Sequence, residues 1–176
     1  MSFFSRNKDR SEPEGREIEI EIEAIVPVRH PVTGQVTAVV FLREKNGERE
    51  FPMVIGLLEA RAIELELQRI TPPRPFTHDL LKNSLAVWGV MVQKIVIIKL
   101  VKQGDEGTFY ADIIQERRGE VQTLDSRPSD AIALALRFAA PMYAAEELLN
   151  ERYQPEIKSQ KEIDDVLRRM EDDSKS

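Results

Sequence analysis

Glu17-Ile18-Glu19-Ile20-Glu21-Ile22-Glu23 alternates an acidic and a β-branched apolar side chain at every step. In an extended chain successive side chains point to opposite faces, so the isoleucines share one side and the glutamates the other. That period of two marks a strand buried on one face only. Order is therefore expected to begin at Glu17, with a second wall of the protein supplying what the isoleucines pack against.

Reading outward, Pro27 and Pro31 are expected to end or distort this strand, and Thr33-Gly34 supplies a turn. Residues 36–43 read as a second strand. Asn46-Gly47 is a hairpin signal, so residues 49–55 should pair back antiparallel. Gly56 breaks that strand. Residues 57–69 then follow helical spacing, with Leu58, Ala62, Leu65 and Arg69 along one side. Thr71-Pro72-Pro73-Arg74-Pro75 cannot be helical, because each proline biases the residue before it towards extended structure. Thr77 is expected to cap a second helix running through Trp88, with Gly89 in the left-handed position after it. Residues 90–101 and 108–115 read as two long strands, Arg118-Gly119 as a tight turn, and 120–124 as a further strand. Pro128 opens a third helix to about Ala139, and Pro141 stops it. Residues 142–149 read as a short strand or turn followed by a helical turn.

Strands, two helices, strands and a helix, in that order, argue for α+β: a mainly antiparallel sheet packed with about three core helices. Residues 1–16, polar and of mixed charge, are expected to form a disordered arm. Residues 17–151 are expected to form one domain. Residues 152–176 are expected to form a charged helical tail, with Ile163, Leu167 and Met170 on a stripe too thin to fold alone.

Composition removes several classes of function. The chain has 176 residues, enough for one domain with a real core. With no cysteine, disulfides, thiolate metal sites and a cysteine nucleophile are excluded. No stretch reaches the roughly 18 consecutive apolar residues of a membrane helix, and Met1-Ser2-Phe3-Phe4-Ser5-Arg6, which lacks a charged start followed by an apolar run, is not expected to open a signal peptide. These features fit a cytoplasmic protein with no membrane partner. The net charge of −6 opposes a polyanion as a whole. Between residues 59 and 102, however, seven basic residues face four acidic ones, which leaves room for a local positive patch. There is no Walker loop, no GxGxxG after a strand, no HExxH and no GxSxG.

Two segments carry the candidate chemistry. In Pro72-Pro73-Arg74-Pro75-Phe76-Thr77-His78-Asp79-Leu80-Leu81, a rigid extended run delivers a helix start with His78 and Asp79 in its first turn. An aspartate there is favoured by the positive end of the helix dipole. On one reading His78 is a general acid or base, or a metal ligand, beside Asp79 or Arg74. On the other, Asp79 pairs with Arg74 and His78 is simply exposed. His30, the only other histidine, sits in the expected turn. In Leu124-Asp125-Ser126-Arg127-Pro128-Ser129-Asp130-Ala131-Ile132-Ala133-Leu134-Ala135-Leu136-Arg137, Arg127 becomes the helix cap, and Asp130 can reach back to a free N–H. Free N–H groups beside Arg127 can hold a phosphate. The structural alternative has Asp125 and Asp130 fixing the corner, paired to Arg127 or Arg137. A weaker cluster is Glu59 with Glu66, about two turns apart on one helix face, which can offer oxygen ligands to a divalent cation.

These segments also carry a resemblance. Pro73-Arg74-Pro75-Phe76-Thr77-His78-Asp79-Leu80-Leu81 resembles the PRPxTHDL stretch of the bifunctional nuclease family, and residues 125–137 resemble its D-x-RPSDAIALALR stretch. Phe51-Pro52-Met53-Val54-Ile55-Gly56, followed by Glu59-Ala60 and Ala62-Ile63, is similar to the family's LPIxIG…EAxAI segment. Ala140-Pro141-Met142-Tyr143 with Glu146-Glu147-Leu148-Leu149 resembles its usual ending. The likeness runs from about Ile18 to Glu151, with the motifs in order.

The resemblance implies a compact α+β domain that cleaves both DNA and RNA. It implies His78, Asp79 and Asp130 as catalytic candidates and Arg74, Arg127 and Ser129 as substrate-binding candidates. Glu59, Asp79 and Asp130 are the candidate ligands if the cofactor is Mg²⁺ or Mn²⁺. The alternative is a non-enzymatic regulatory or protein-interaction module that keeps the same fold. Such a module is expected to be a homo-oligomer joined through a sheet edge or the strand at residues 90–101.

Overall fold

In the computed structural model, which describes residues 15–29, 36–103 and 106–150, the sheet is built from β1 (Glu17–Arg29), β2 (Val36–Glu44), β3 (Glu50–Ile55), β4 (Val90–Gln103), β5 (Glu106–Arg117), β6 (Glu120–Ser126) and β7 (Met142–Ala145). The helices are α1 (Leu57–Leu67), α2 (Thr77–Val87), α3 (Pro128–Phe138) and the short α4 (Glu146–Asn150). Strand order across the sheet is β3-β2-β1-β7-β4-β5-β6. Every neighbouring pair is antiparallel except β4 and β7. The architecture is α+β, as the grouping of elements predicts. The N-terminal arm up to residue 14, His30 with its turn, and the C-terminal tail lie outside the described residues.

The alternation that opens β1 sets the core side. Ile20 pairs across from Glu44, and Ile22 from Leu42. With Ile18 they face the helices, while Glu21 and Glu23 on the opposite face meet Arg43. Of the two prolines expected to end or distort the strand, Pro27 lies within it, and Pro31 is outside the described residues. β7 pairs only with Glu17, Ile18, Glu19 and Ile20, so Pro27 lies where β1 has β2 on one flank and no described strand on the other. A missing N–H there breaks no inner ladder. Pro52 is tolerated for the same reason, on the edge strand β3.

The sheet curls. β3 and β5 are far apart in strand order, yet Phe51 and Phe109 stack with ring centroids 5.9 Å apart. Bulges in β1 between Ile22 and Ala24, and in β4 between Val92 and Lys94 and between Ile97 and Lys99, provide the bends. At the tight turn joining β5 to β6, Arg118 and Gly119 both take positive φ, the geometry that matches the twist of a two-residue hairpin.

α1 and α3 fill the concave face. α3 is apolar nearly all round and accordingly buried from Pro128 through Ala135 apart from the partly exposed Asp130, against α1, β4 and β5. α1 buries Ala60, Ala62, Ile63 and Leu65. Leu58, set in line with Ala62 and Leu65 by helical spacing, is 85% exposed, whereas those two are buried with Ala60 and Ile63. α2 differs from both: it buries no residue at all. α1, α2 and α3 pack with the sheet as expected; α2 lies outermost, against α3 and β4, with the half-buried Leu85 touching the core. β4 pairs with β5 along its length, while on its other flank β7 covers only Ile95, Val96 and Ile97.

Candidate functional site

The proline run delivers the chain to α2 in extended form, with Phe76 at the cap position (φ −78°, ψ 176°). Thr77 is the first residue of the helix, not its cap as expected. The capping is done from inside: Asp79 Oδ2 accepts the Phe76 backbone N–H at 2.8 Å. That bond turns the first turn of α2 so that His78 and Asp79 face α3.

α3 starts in a similar way. Arg127 is its cap residue (φ −68°, ψ 141°), and Pro128 takes the first helical position, where its missing N–H costs nothing. Asp130, in the third position, does not reach back to a backbone N–H as expected. Its carboxylate instead accepts three side-chain donors: Arg127 Nε at 2.7 Å, Arg127 Nη2 at 3.1 Å and His78 Nε2 at 3.0 Å. Arg127 also reaches Glu59 Oε1, in the first turn of α1, at 3.0 Å. The two sequence segments thus meet directly, through His78 and Asp130.

Beneath them lies Arg137. Its Nε donates to Asp79 Oδ1 at 2.6 Å, and its Nη1 donates to the carbonyls of Ala133 at 2.9 Å and Ala62 at 3.2 Å. One buried guanidinium therefore joins α1, α2 and α3. The expected Asp79–Arg74 pair does not form. Arg74 is exposed on the segment leading to α2 and makes no ion pair among the described residues. The signal that could have revealed Arg137 is its place on an otherwise apolar helix. A cation that cannot reach water needs a carboxylate, and Asp79 is the one that α2 presents.

The network runs from interior to solvent. Side-chain exposure rises from 2% at Arg137 through 13% at His78 and 31% at Asp130 to 66% at Arg127. Solvent and solutes therefore approach from the Arg127 side. Ser129 is buried behind it. Burial alone would raise the Asp130 carboxyl, but the bonds from Arg127 and then His78 outweigh it and hold that group below the usual aspartate range. Burial likewise works to raise Asp79, and the bonds from Arg137 and the Phe76 N–H overcome it, so Asp79 too is lowered. Arg127 is held above its ordinary value by its bonds to Asp130 first.

An ionised Asp130 can only accept hydrogen bonds, so the hydrogen of the shared bond sits on His78 Nε2. In neutral His78 the lone pair is then on Nδ1, which takes no hydrogen bond among the described residues. A ring held by a carboxylate with its other nitrogen open is suited to taking a proton from water. A divalent metal fits less well. No group of three or more His, Asp or Glu side chains is arranged to hold one among the described residues. Glu59, Asp79 and Asp130 each face a guanidinium instead, and Glu59 turns to Arg127 rather than sharing a cation with Glu66. No helix among the described residues is long and apolar enough to cross a membrane.

A family model described as the bifunctional nuclease domain matches residues 40–156, a span that holds every member of this network. Two curated relatives, both described as uncharacterized proteins of Mycobacterium tuberculosis, come from strains CDC 1551 / Oshkosh and H37Rv. Each is 46% identical to this chain over 111 residues. The match covers 63% of this chain and 63% of each relative, so it spans less than two thirds of the relatives' length.

Proposed function

The chain belongs to the bifunctional nuclease domain family, and on that premise we propose that it hydrolyses phosphodiester bonds in DNA and RNA, with His78 as the proton-transfer group. The observation that carries this reading is the 3.0 Å bond from His78 Nε2 to Asp130, which joins the two motifs and orients the imidazole. DNA has no 2′-hydroxyl, so an activity common to both polymers cannot use that group, and water serves as the nucleophile in this reading. Water attacks phosphorus and its proton passes to His78 Nδ1. The bond from phosphorus to the leaving oxygen breaks, and that oxygen takes up a proton, restoring neutral His78 when the imidazolium supplies it. Asp130 steadies the imidazolium formed in between. Arg127, the most exposed member of the network, is placed to meet a phosphate arriving from solvent. Arg74, exposed on the segment that leads into α2, is a second cation available to a phosphate. The carboxylates nearby are already matched by guanidinium groups, so no step is routed through a metal ion.

The test uses purified full-length protein on single-stranded DNA, double-stranded DNA and RNA. His78→Ala is expected to lower cleavage at least about 100-fold, with the parent's circular dichroism and a melting temperature lowered only by the loss of the His78–Asp130 bond. Undiminished cleavage by that variant, purified free of host nucleases, would overturn the assignment.

One observation favours a second reading, a non-enzymatic binding module on the same fold. Glu59, Asp79, Asp130, Arg127 and Arg137 are all spent in ion pairs with one another or with His78. A parent protein that leaves all three substrates intact in Mg²⁺, in Mn²⁺ and in chelator supports this alternative.

A further inference from the structure

Arg127 is the most exposed member of the network, yet its guanidinium is engaged by carboxylates on two sides. Nε and Nη2 form a pair of bonds to Asp130, at 2.7 and 3.1 Å. What remains for any other anion is Nη1 and the second hydrogen of Nη2. Glu59 Oε1 already holds Nη1 at 3.0 Å. One guanidinium therefore faces two carboxylates, and an arriving phosphate meets surplus negative charge. The two carboxylates are not held alike. Asp130 accepts three bonds, two from Arg127 and one from His78. Glu59 joins the network through a single contact, to Arg127. Its side chain folds back over the start of α1, where a Cβ placed on the cap residue Gly56 would lie 2.2 Å from Glu59 Oε2. The glycine thus leaves open the space that this carboxylate uses.

We propose that Glu59 is a latch on the phosphate site: its carboxylate occupies Arg127 until a nucleic-acid phosphate displaces it, and so it sets how tightly the site binds. The inference deepens the proposed function and rests on it in one respect, the choice of a nucleic-acid phosphate as the ligand of Arg127. Glu59 is the carboxylate that yields, because releasing it breaks one contact, whereas releasing Asp130 breaks two and leaves His78 on a carboxylate that has lost its cation. With Glu59 gone, Nη1 and Nη2 present a fork of donors, and the two unesterified oxygens of a phosphodiester match that fork. The Asp130 bonds survive the exchange, so His78 stays oriented while substrate enters. One negative group leaves Arg127 as another arrives, so the intact latch weakens binding relative to a bare guanidinium.

The experiment is equilibrium binding of a short fluorescent single-stranded phosphorothioate DNA to the full chain, read by anisotropy. That probe keeps the charge of DNA and resists hydrolysis, so binding is measured apart from cleavage. Glu59→Gln keeps the size of the side chain and removes its charge, and it is expected to lower Kd about three- to tenfold. Glu66→Gln removes the same charge about two turns further along α1 and is expected to change Kd less than about twofold. In an Arg127→Ala background, Glu59→Gln should bring no gain. A Kd unchanged or raised by Glu59→Gln overturns the proposal. So does a gain that persists without Arg127, which assigns it to overall charge, and so does a chain that binds the probe in neither form. Hydrolysis is followed separately on unmodified DNA and RNA. Cleavage by the parent with no gain in Glu59→Gln binding removes the latch alone, and a gain in binding with no cleavage removes the hydrolytic reading alone.

Discussion

Arg137 on α3 and Asp79 on α2 are 58 positions apart and meet at 2.6 Å, through a guanidinium whose side chain is only 2% exposed. That contact explains how a helix with no buried residue stays in place. α1 and α3 are held by apolar packing, whereas α2 combines this bond and His78–Asp130 with the half-buried Leu85, which packs against the core. The position of His78 therefore depends on an ion pair as well as on the core.

Removing Asp79 strands that guanidinium. Asp79→Ala is expected to cost about 2–4 kcal/mol, because an unpaired buried charge is dearer than the pair is worth. Adding Arg137→Met should recover part of the loss, so the double variant is more stable than the sum of the single changes implies. Urea unfolding of the four proteins measures it. Additive losses would show that Arg137 finds another partner.

Acid should release α2. Asp79 and Asp130 both have lowered folded-state values, so they bind protons less readily folded than unfolded. Their stabilisation is complete above the ordinary aspartate value of about 3.9. It is lost as pH falls from there through the lowered folded values. The unfolding midpoint should therefore drop with acid over that window. The slope should be shallower in Asp79→Asn, and a slope unchanged by Asp79→Asn would remove Asp79 from the effect.

Much of this fold is legible in the sequence where a local rule decides it. The Ile18, Ile20, Ile22 alternation gives β1 its inner face, Arg118-Gly119 its hairpin, and Pro128 the start of α3. Legibility fails where the deciding partner is distant. The spacing in Thr77-His78-Asp79-Leu80-Leu81 announces a helix with two faces, but not that the polar face goes inward, because that depends on Arg137 and Asp130. Arg74 was the near partner for Asp79 in sequence, and Arg137 is the real one in space. β7 is four residues long, so nothing local foretells its insertion between β1 and β4. Of the candidate site, His78, Asp79, Arg127, Asp130 and Glu59 come together in one network, whereas Arg74 stands free and Ser129 is buried.

Arg127 should matter to phosphate and little to folding. Its side chain is two thirds exposed, and ion pairs in such positions contribute about 0–1 kcal/mol. Arg127→Ala is thus expected to change unfolding free energy by less than about 1 kcal/mol. On the proposed function it should weaken binding of single-stranded DNA and lower the salt dependence of that binding by close to one charge. Fluorescence anisotropy across a salt series measures both, and an unchanged salt slope would remove Arg127 from the phosphate contact.

Asp130→Asn separates orientation from packing. Asparagine keeps the size of the side chain, yet offers both an acceptor and donors where the carboxylate offers acceptors only. His78 Nε2 then no longer has to carry the hydrogen, and the imidazolium loses the charge that steadies it. On the proposed function kcat should fall about 100-fold or more, while KM stays within about threefold, because Arg127 and Arg74 still meet the substrate. Nitrogen NMR of the His78 ring should show the Nε2–H form in the parent and a mixture in the variant. The same substitution leaves Arg127 with a weaker partner and lowers its attraction to Glu59's side of the network very little, since that bond is separate at 3.0 Å. A variant that loses activity only through a raised KM, with the parent tautomer retained, would make Asp130 a packing residue instead of the group that orients His78.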